Sequence, residues 1–304
     1  MGRAERHGSD GREGFLVGRP IPFFVLAFVI SWVPLLASAA HALGWSPIEV
    51  PLAWLVVAGY GPALAAVILV ARQAGWDAVK ELLGRLLHWR VGLAWYVLVV
   101  VSPVAFLLVG ITVHVALEGQ APNLADPPLL REVAQGAAPL LFLAIVFVQQ
   151  GLVLIGEEVG WRGYALPALQ ARYSALVASL ILGLVWGLWH LPLILTPQAR
   201  SGVAEVPVVL FLLDIVASSV FYAWVYNNTR GSLLAVTLLH SVTNTAVVFL
   251  PVTSIAGTDV RPFLALIIAR WVVVGLIVAH AGRHTLMSRA VHENPYYNRP
   301  IASD

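Results

Sequence analysis

Eight apolar stretches separated by short polar connections run along the 304 residues. They cover 21–43, 51–72, 93–117, 138–160, 174–195, 206–226, 232–250 and 262–281. Each comes close to the roughly 20 residues an α-helix needs to cross a 30 Å hydrocarbon layer. Inside lipid no water satisfies the backbone, so a spanning segment must bond its own N–H and C=O groups. The pattern therefore predicts an all-α, polytopic membrane protein with about eight transmembrane helices.

Between the second and third stretches the period changes. Over Trp76–Leu87, Val79, Leu82, Leu83, Leu86 and Leu87 fall on one face, with Asp77, Lys80, Glu81 and Arg85 on the other. That predicts a short helix lying in the membrane interface. Glu118–Gly136, with Pro122, Pro127 and Pro128, is the longest expected irregular connection. The layout is a polar N-terminal segment 1–20, a membrane-embedded helical domain 21–281 and a polar tail 282–304. The first run is too long for a signal-peptide core and reads as a retained helix. No soluble domain and no internal repeat is evident.

Composition agrees and narrows the chemistry. Hydrophobic residues make up 59% and charged residues 11%, against about 25% charged in soluble domains. With no cysteine, disulfides, thiolate nucleophiles and Cys-bound metals are excluded. There are seventeen Arg and a single Lys, Lys80. With the N-terminus in the cytoplasm, fourteen of these cations fall on the cytoplasmic side and three on the other, with Arg270 inside the eighth stretch. The positive-inside rule then puts both termini in the cytoplasm. The cations are too few and scattered for nucleic acid, and Arg-rich, Lys-poor usage points to a prokaryotic cell membrane.

Against this background the polar residues inside apolar stretches stand out, because each costs a few kcal/mol unless paired or facing a wet cavity. Glu157 and Glu158 end the fourth stretch, His190 the fifth, and His240 and Asn244 sit in the seventh. Glu158 and Arg162, Trp186 and His190, and His240 and Asn244 are each four apart, so each pair shares a helix face. Glu157 points about 100° away from the Glu158–Arg162 face, and Gln150 extends its polar stripe by two turns. If a hairpin turns near Arg172-Tyr173-Ser174, Glu157 and His190 both lie roughly 25 Å from the turn and are level. A carboxylate and an imidazole around one water form a general-base pair. A second imidazole with an amide can donate to a developing oxyanion. No Ser or Thr stands beside a base, which disfavours an acyl-enzyme.

Glu157-Glu158-Val-Gly-Trp-Arg162 reads as E-E-x-x-x-R, Trp186-Gly-Leu-Trp-His190 as F-x-x-x-H with Trp for Phe, and His240-Ser-Val-Thr-Asn244 as H-x-x-x-N. This ordered set resembles the CPBP family of intramembrane proteases, which includes CAAX prenyl endopeptidases and Abi-type proteins linked to bacteriocin immunity. The motifs lie within Gln149–Leu250, so the protease core is expected at about 138–250. The resemblance implies that Glu157 and His190 activate water, that His240 and Asn244 form the oxyanion hole, and that Glu158 and Arg162 support them. Trp at 186 is expected to alter packing beside His190 and to remove no catalytic group.

The expected function is endoproteolysis of a membrane-tethered or lipidated substrate, either CAAX-type processing or processing of a bacteriocin or other peptide. Glu157, His190 and His240 are also compatible with a His₂Glu zinc site. Without an H-E-x-x-H motif the favoured mechanism needs no cofactor, and a divalent metal such as zinc is the alternative. Two other functions compete. A catalytically idle scaffold or immunity factor would tolerate substitution at Glu157 and His190. A proton-coupled transporter would show broken helices and repeated halves. Asp214 and Arg270, charged within stretches six and eight, are expected to pair structurally. Gly183-x-x-x-Gly187 is expected to let two helices pack closely.

Overall fold

The computed structural model describes residues 19–119, 139–195, 206–250, 252 and 259–287, and the regular structure among them is entirely helical. The helices are α1 (Pro20–Ala42), α2 (Leu52–Gly59), α3 (Gly61–Ala74), α4 (Trp76–Gly84), α5 (Leu93–Glu118), α6 (Pro139–Gly160), α7 (Leu166–Gln170), α8 (Ala175–Trp189), α9 (Leu191–Leu195), α10 (Val208–Asn228), α11 (Leu233–Phe249) and α12 (Arg261–Ala281). Expectations for the first eighteen residues, for all but the start of the 118–136 connection, and for the tail from 288 onward lie outside the described residues.

The protein is an all-α, polytopic membrane protein. Among the described residues, five helices are long and apolar enough to cross the membrane: α1, α5, α6 with its continuation, α10 and α12. A sixth span is possible only as the bent pair α2–α3, and α8 and α11 are shorter apolar helices. The stretch expected as one continuous span over 51–72 is thus broken, with a 62° bend. Pro62, just after Gly59 and Gly61, interrupts the helix locally, and packing against α6 accommodates the bend. A Cβ on Gly160 would lie 2.4 Å from Pro62, and one on Gly156 would lie 3.0 Å from Tyr60. Glycines on α6 therefore let the bend press against the helix just where Glu157 and Glu158 leave it. The Tyr60 hydroxyl donates to the Leu152 carbonyl at 2.5 Å, and the Ser31 hydroxyl to the Ala58 carbonyl at 2.7 Å.

The stretch expected over 174–195 also divides. Helix α8 stops at Trp189, His190 forms its C-cap, and α9 follows. Pro192 has no N–H to continue the α8 ladder, and its ring clashes with the carbonyl four residues back, so a new helix starts there. The terminal carbonyl of Trp189 accepts from Trp32 Nε1 at 3.0 Å, which ties α8 to α1. Gly183 and Gly187 let α8 pack closely on α10, as the spacing suggested: a Cβ on Gly183 would lie 2.8 Å from Val216 Cα, and one on Gly187 would lie 2.6 Å from Leu212.

The interfacial helix is present as α4, continued by a 3₁₀ turn over Arg85–Leu87. Its inward face is narrower than expected. Val79 and Leu82 are buried, while Leu83 and Leu87 are exposed. The start of the tail is also less free than a polar tail should be. Ala175 and Leu176 donate their backbone N–H groups to the carbonyls of His284 and Arg283 at 2.8 and 3.1 Å. Asn227 and Asn228 donate to the carbonyls of Thr285 and Leu286 at 2.7 Å each. Leu286 is fully buried. The strap satisfies donors at the N-terminus of α8 that no helical carbonyl can reach.

Candidate active site

Helix α6 does not end at Glu158. It passes into a π-helical turn over Trp161–Ala165 and then into α7. Such a turn carries one extra residue and is found often at functional sites. Gly163, inside it, gives way to the side chains of Leu82 and Leu233. The continuation keeps Glu158 and Arg162 on one face, and Arg162 Nη1 donates to Glu158 Oε1 at 3.0 Å. Both side chains are completely buried.

A second donor reaches the same oxygen. His240 Nδ1, on α11, lies 2.8 Å from Glu158 Oε1. A carboxylate beside a guanidinium can only accept, so Nδ1 carries the hydrogen. The Arg162 guanidinium also lies over the rings of Trp186 and Tyr222, with its carbon 4.2 and 4.9 Å from their centroids. Two aromatic faces thus share the charge with Glu158.

Glu157 takes no cation. Its Oε2 accepts from the indole Nε1 of Trp186 at 2.7 Å, and its Oε1 has no hydrogen-bond partner among the described residues. The sequence identified Trp186 as a neighbour of His190 and missed this bond. The indole also meets His240 edge-on at 5.2 Å and His190 at 5.8 Å between ring centroids. One side chain therefore touches Glu157, His190, His240 and Arg162 together.

His190 is held differently from His240. Its Nδ1 lies 2.8 Å from the Trp186 carbonyl. A carbonyl has no proton to give, so Nδ1 is the donor and Nε2 keeps a lone pair. Trp189 and Phe211 wall the ring at 4.8 and 5.5 Å. Asn244, one turn beyond His240, donates from Nδ2 to Gln150 Oε1 at 3.4 Å. Tyr222 was not singled out in the sequence, where it is one aromatic among many. It stands 5.5 Å from His240 and bonds Thr243 Oγ1 at 3.1 Å.

The fold thus gathers Glu157, Glu158, Arg162, His190 and His240 around Trp186, while Asn244 bonds Gln150, two turns before Glu157. Among the described residues no three His, Asp or Glu side chains converge on a position for an ion. Glu157 and Glu158 are each turned to a separate protein donor.

Residues 135–246 match the family model described as "Type II CAAX prenyl endopeptidase Rce1-like". The chain is also 23% identical over 240 residues to CAAX prenyl protease 2 of Methanococcus maripaludis, an alignment covering 74% of this chain and 82% of that protein. By motif and by match, the chain resembles the CAAX-protease family. The matched span contains the three motifs and all six side chains expected at the site. That resemblance supports an intramembrane peptidase, a hydrolase.

Proposed function

We propose that the protein cleaves a prenylated, CAAX-type substrate by direct attack of water, with Glu157 and His190 as the activating pair. The observation that carries this is the contact of one indole, Trp186, with Glu157, His190 and His240. Glu157 Oε1 and His190 Nε2 are the two acceptor positions left over after their partners are bonded. Water donating to both loses a proton to Glu157 as its oxygen attacks the scissile carbonyl. The carbonyl becomes an oxyanion, and the proton passes from Glu157 to the leaving amine as the C–N bond breaks.

His240 and Asn244 receive the oxyanion in this reading. Because His240 commits Nδ1–H to Glu158, its Nε2 can donate only when the ring is an imidazolium. Glu158 and Arg162 then act through His240 and not on the substrate. The amide of Asn244 supplies a second donor by breaking its long contact with Gln150. No step requires a metal.

An apolar groove offers a place for the isoprenoid chain. Val56 and Tyr60 line one side, and Ile145, Val148, Leu152 and Val153 the other. Val153 is one helical turn before Glu157. The positive-inside rule favours both termini on the cytoplasmic side, and the natural absence of cysteine makes a single-cysteine test direct. Lys80→Cys should react with a membrane-impermeant maleimide from the cytoplasmic side only, and Asp259→Cys from the other side only.

The deciding experiment compares protein termini in membranes carrying wild type or Glu157→Gln at equal abundance. It is paired with cleavage of a farnesylated peptide ending in Cys-aliphatic-aliphatic-X. Loss of specific termini and of peptide cleavage in the variant is expected. Altered termini with an intact farnesyl peptide would point to another peptide substrate. Identical termini with a folded variant would favour an idle scaffold or immunity factor.

A further inference from the structure

We infer that Trp186 is a positioning residue for the water-activating carboxylate, holding Glu157 by a hydrogen bond that a phenylalanine could not make. The inference rests on the proteolytic reading above and deepens it. The motif that this segment resembles carries Phe at this position, and Phe has the ring but no N–H. Here the indole Nε1 donates to Glu157 Oε2 at 2.7 Å, inside the range of a charge-assisted bond. Trp186 is 3% exposed and Glu157 6%, so water competes little for either group.

The ring is itself fixed from several sides. Arg162 lies over its face. His240 and His190 meet it at steep angles, 88° and 62°, and Tyr222 packs at 5.9 Å. Gly187, the next residue, allows α10 close enough to crowd this part of α8. A donor that cannot swing away sets the carboxylate's orientation, with Oε2 occupied and Oε1 left for water.

The test is Trp186→Phe in lipid nanodiscs, with the farnesylated peptide as probe. Loss of one charge-assisted bond should lower kcat about 10- to 100-fold while KM stays within about twofold. An indole N–H bonds a charged carboxylate more strongly than a neutral carboxyl, so the acid limb of the pH–rate profile should move to higher pH in the variant. An infrared titration, with the Glu157 carboxyl band identified by its loss in Glu157→Gln, should show the same displacement without any turnover. A merely packing role predicts no displacement of band or limb, and that result overturns the inference. So does a rise in KM at constant kcat.

If wild type leaves the peptide intact while the infrared displacement is present, the proteolytic reading fails and the hydrogen bond alone stands. If Trp186→Phe does not fold, wild type labelled with ¹⁵N-indole decides. The Nε1–H signal altered by Glu157→Gln should move as Glu157 is protonated, and a signal insensitive to pH overturns the inference.

Discussion

His240 Nδ1 donates to Glu158 Oε1 across 2.8 Å, and the same oxygen is bonded by Arg162. A histidine from α11 is therefore oriented by an ion pair built entirely on α6 and its π-helical extension. Glu158→Gln removes the charge that both donors share. Leaving Arg162 buried and unpaired costs about 3–5 kcal/mol. Peptide cleavage should fall by about 100-fold or more in whatever protein still folds. A double-mutant cycle with His240→Ala should be strongly non-additive, because the second substitution removes what the first had already misplaced. Rates and melting temperatures of the four proteins check this, and additive losses would separate Glu158 from His240.

Gly160→Ala tests the crossing that bends α2–α3. Its Cβ would stand 2.4 Å from Pro62, whose backbone carbonyl carbon and oxygen are as close as its side chain. The expected loss is about 1–3 kcal/mol, read as a lower melting temperature. Gly275→Ala on α12 is the control, since nothing lies within 4 Å of its Cβ. It should be neutral or stabilise by up to about 1 kcal/mol.

Much of this site is legible from spacing alone, because pairs four residues apart depend only on the helix they share. Glu158 with Arg162, Trp186 with His190 and His240 with Asn244 are of that kind. The relations between helices are not written locally. Nothing in the order of residues says that Trp186 points its N–H at Glu157, or that Tyr222 rather than another aromatic stands beside His240. The break at Tyr60 is marked locally by Gly61 and Pro62, but the helix it packs on, through Gly156 and Gly160, lies nearly a hundred residues later. The capping of α8 by Arg283 and His284 is a backbone event that side-chain patterns cannot announce.

Asp214 and Arg270 pair as their isolation in apolar stretches suggested. Arg270 Nη1 donates to Asp214 Oδ1 and, at 2.7 Å, to Ser218 Oγ, and its guanidinium lies over Phe106. The pair joins α10 to α12 and bonds none of the six candidate site residues. Asp214→Asn should destabilise by about 3–5 kcal/mol, and Asp214→Leu with Arg270→Met should recover most of that. Turnover per folded molecule should be unchanged in the double variant. A slower but fully stable double variant would assign the pair to the reaction.

His88 provides the pH test. It lies between the 3₁₀ turn and α5, where burial and then the nearby Arg230 and Arg85 lower its proton affinity below that of an ordinary histidine. The unfolded chain therefore binds more protons than the folded one just below pH 6.5. Stability should be unaffected by this group above that range and fall as pH drops through it. Melting temperatures at pH 5 and 7.5 should differ less in His88→Asn than in wild type. An identical difference would remove His88 from the acid response.

The strap at Arg283–Leu286 has a consequence in time as well as in space. It fastens the start of α8, the helix that carries Trp186 and ends at His190, yet the ribosome makes it about a hundred residues later. Until those residues emerge, the helix that bears Trp186 and His190 lacks its final anchor. A peptidase assembled this way is armed last, after every other spanning helix has been synthesised.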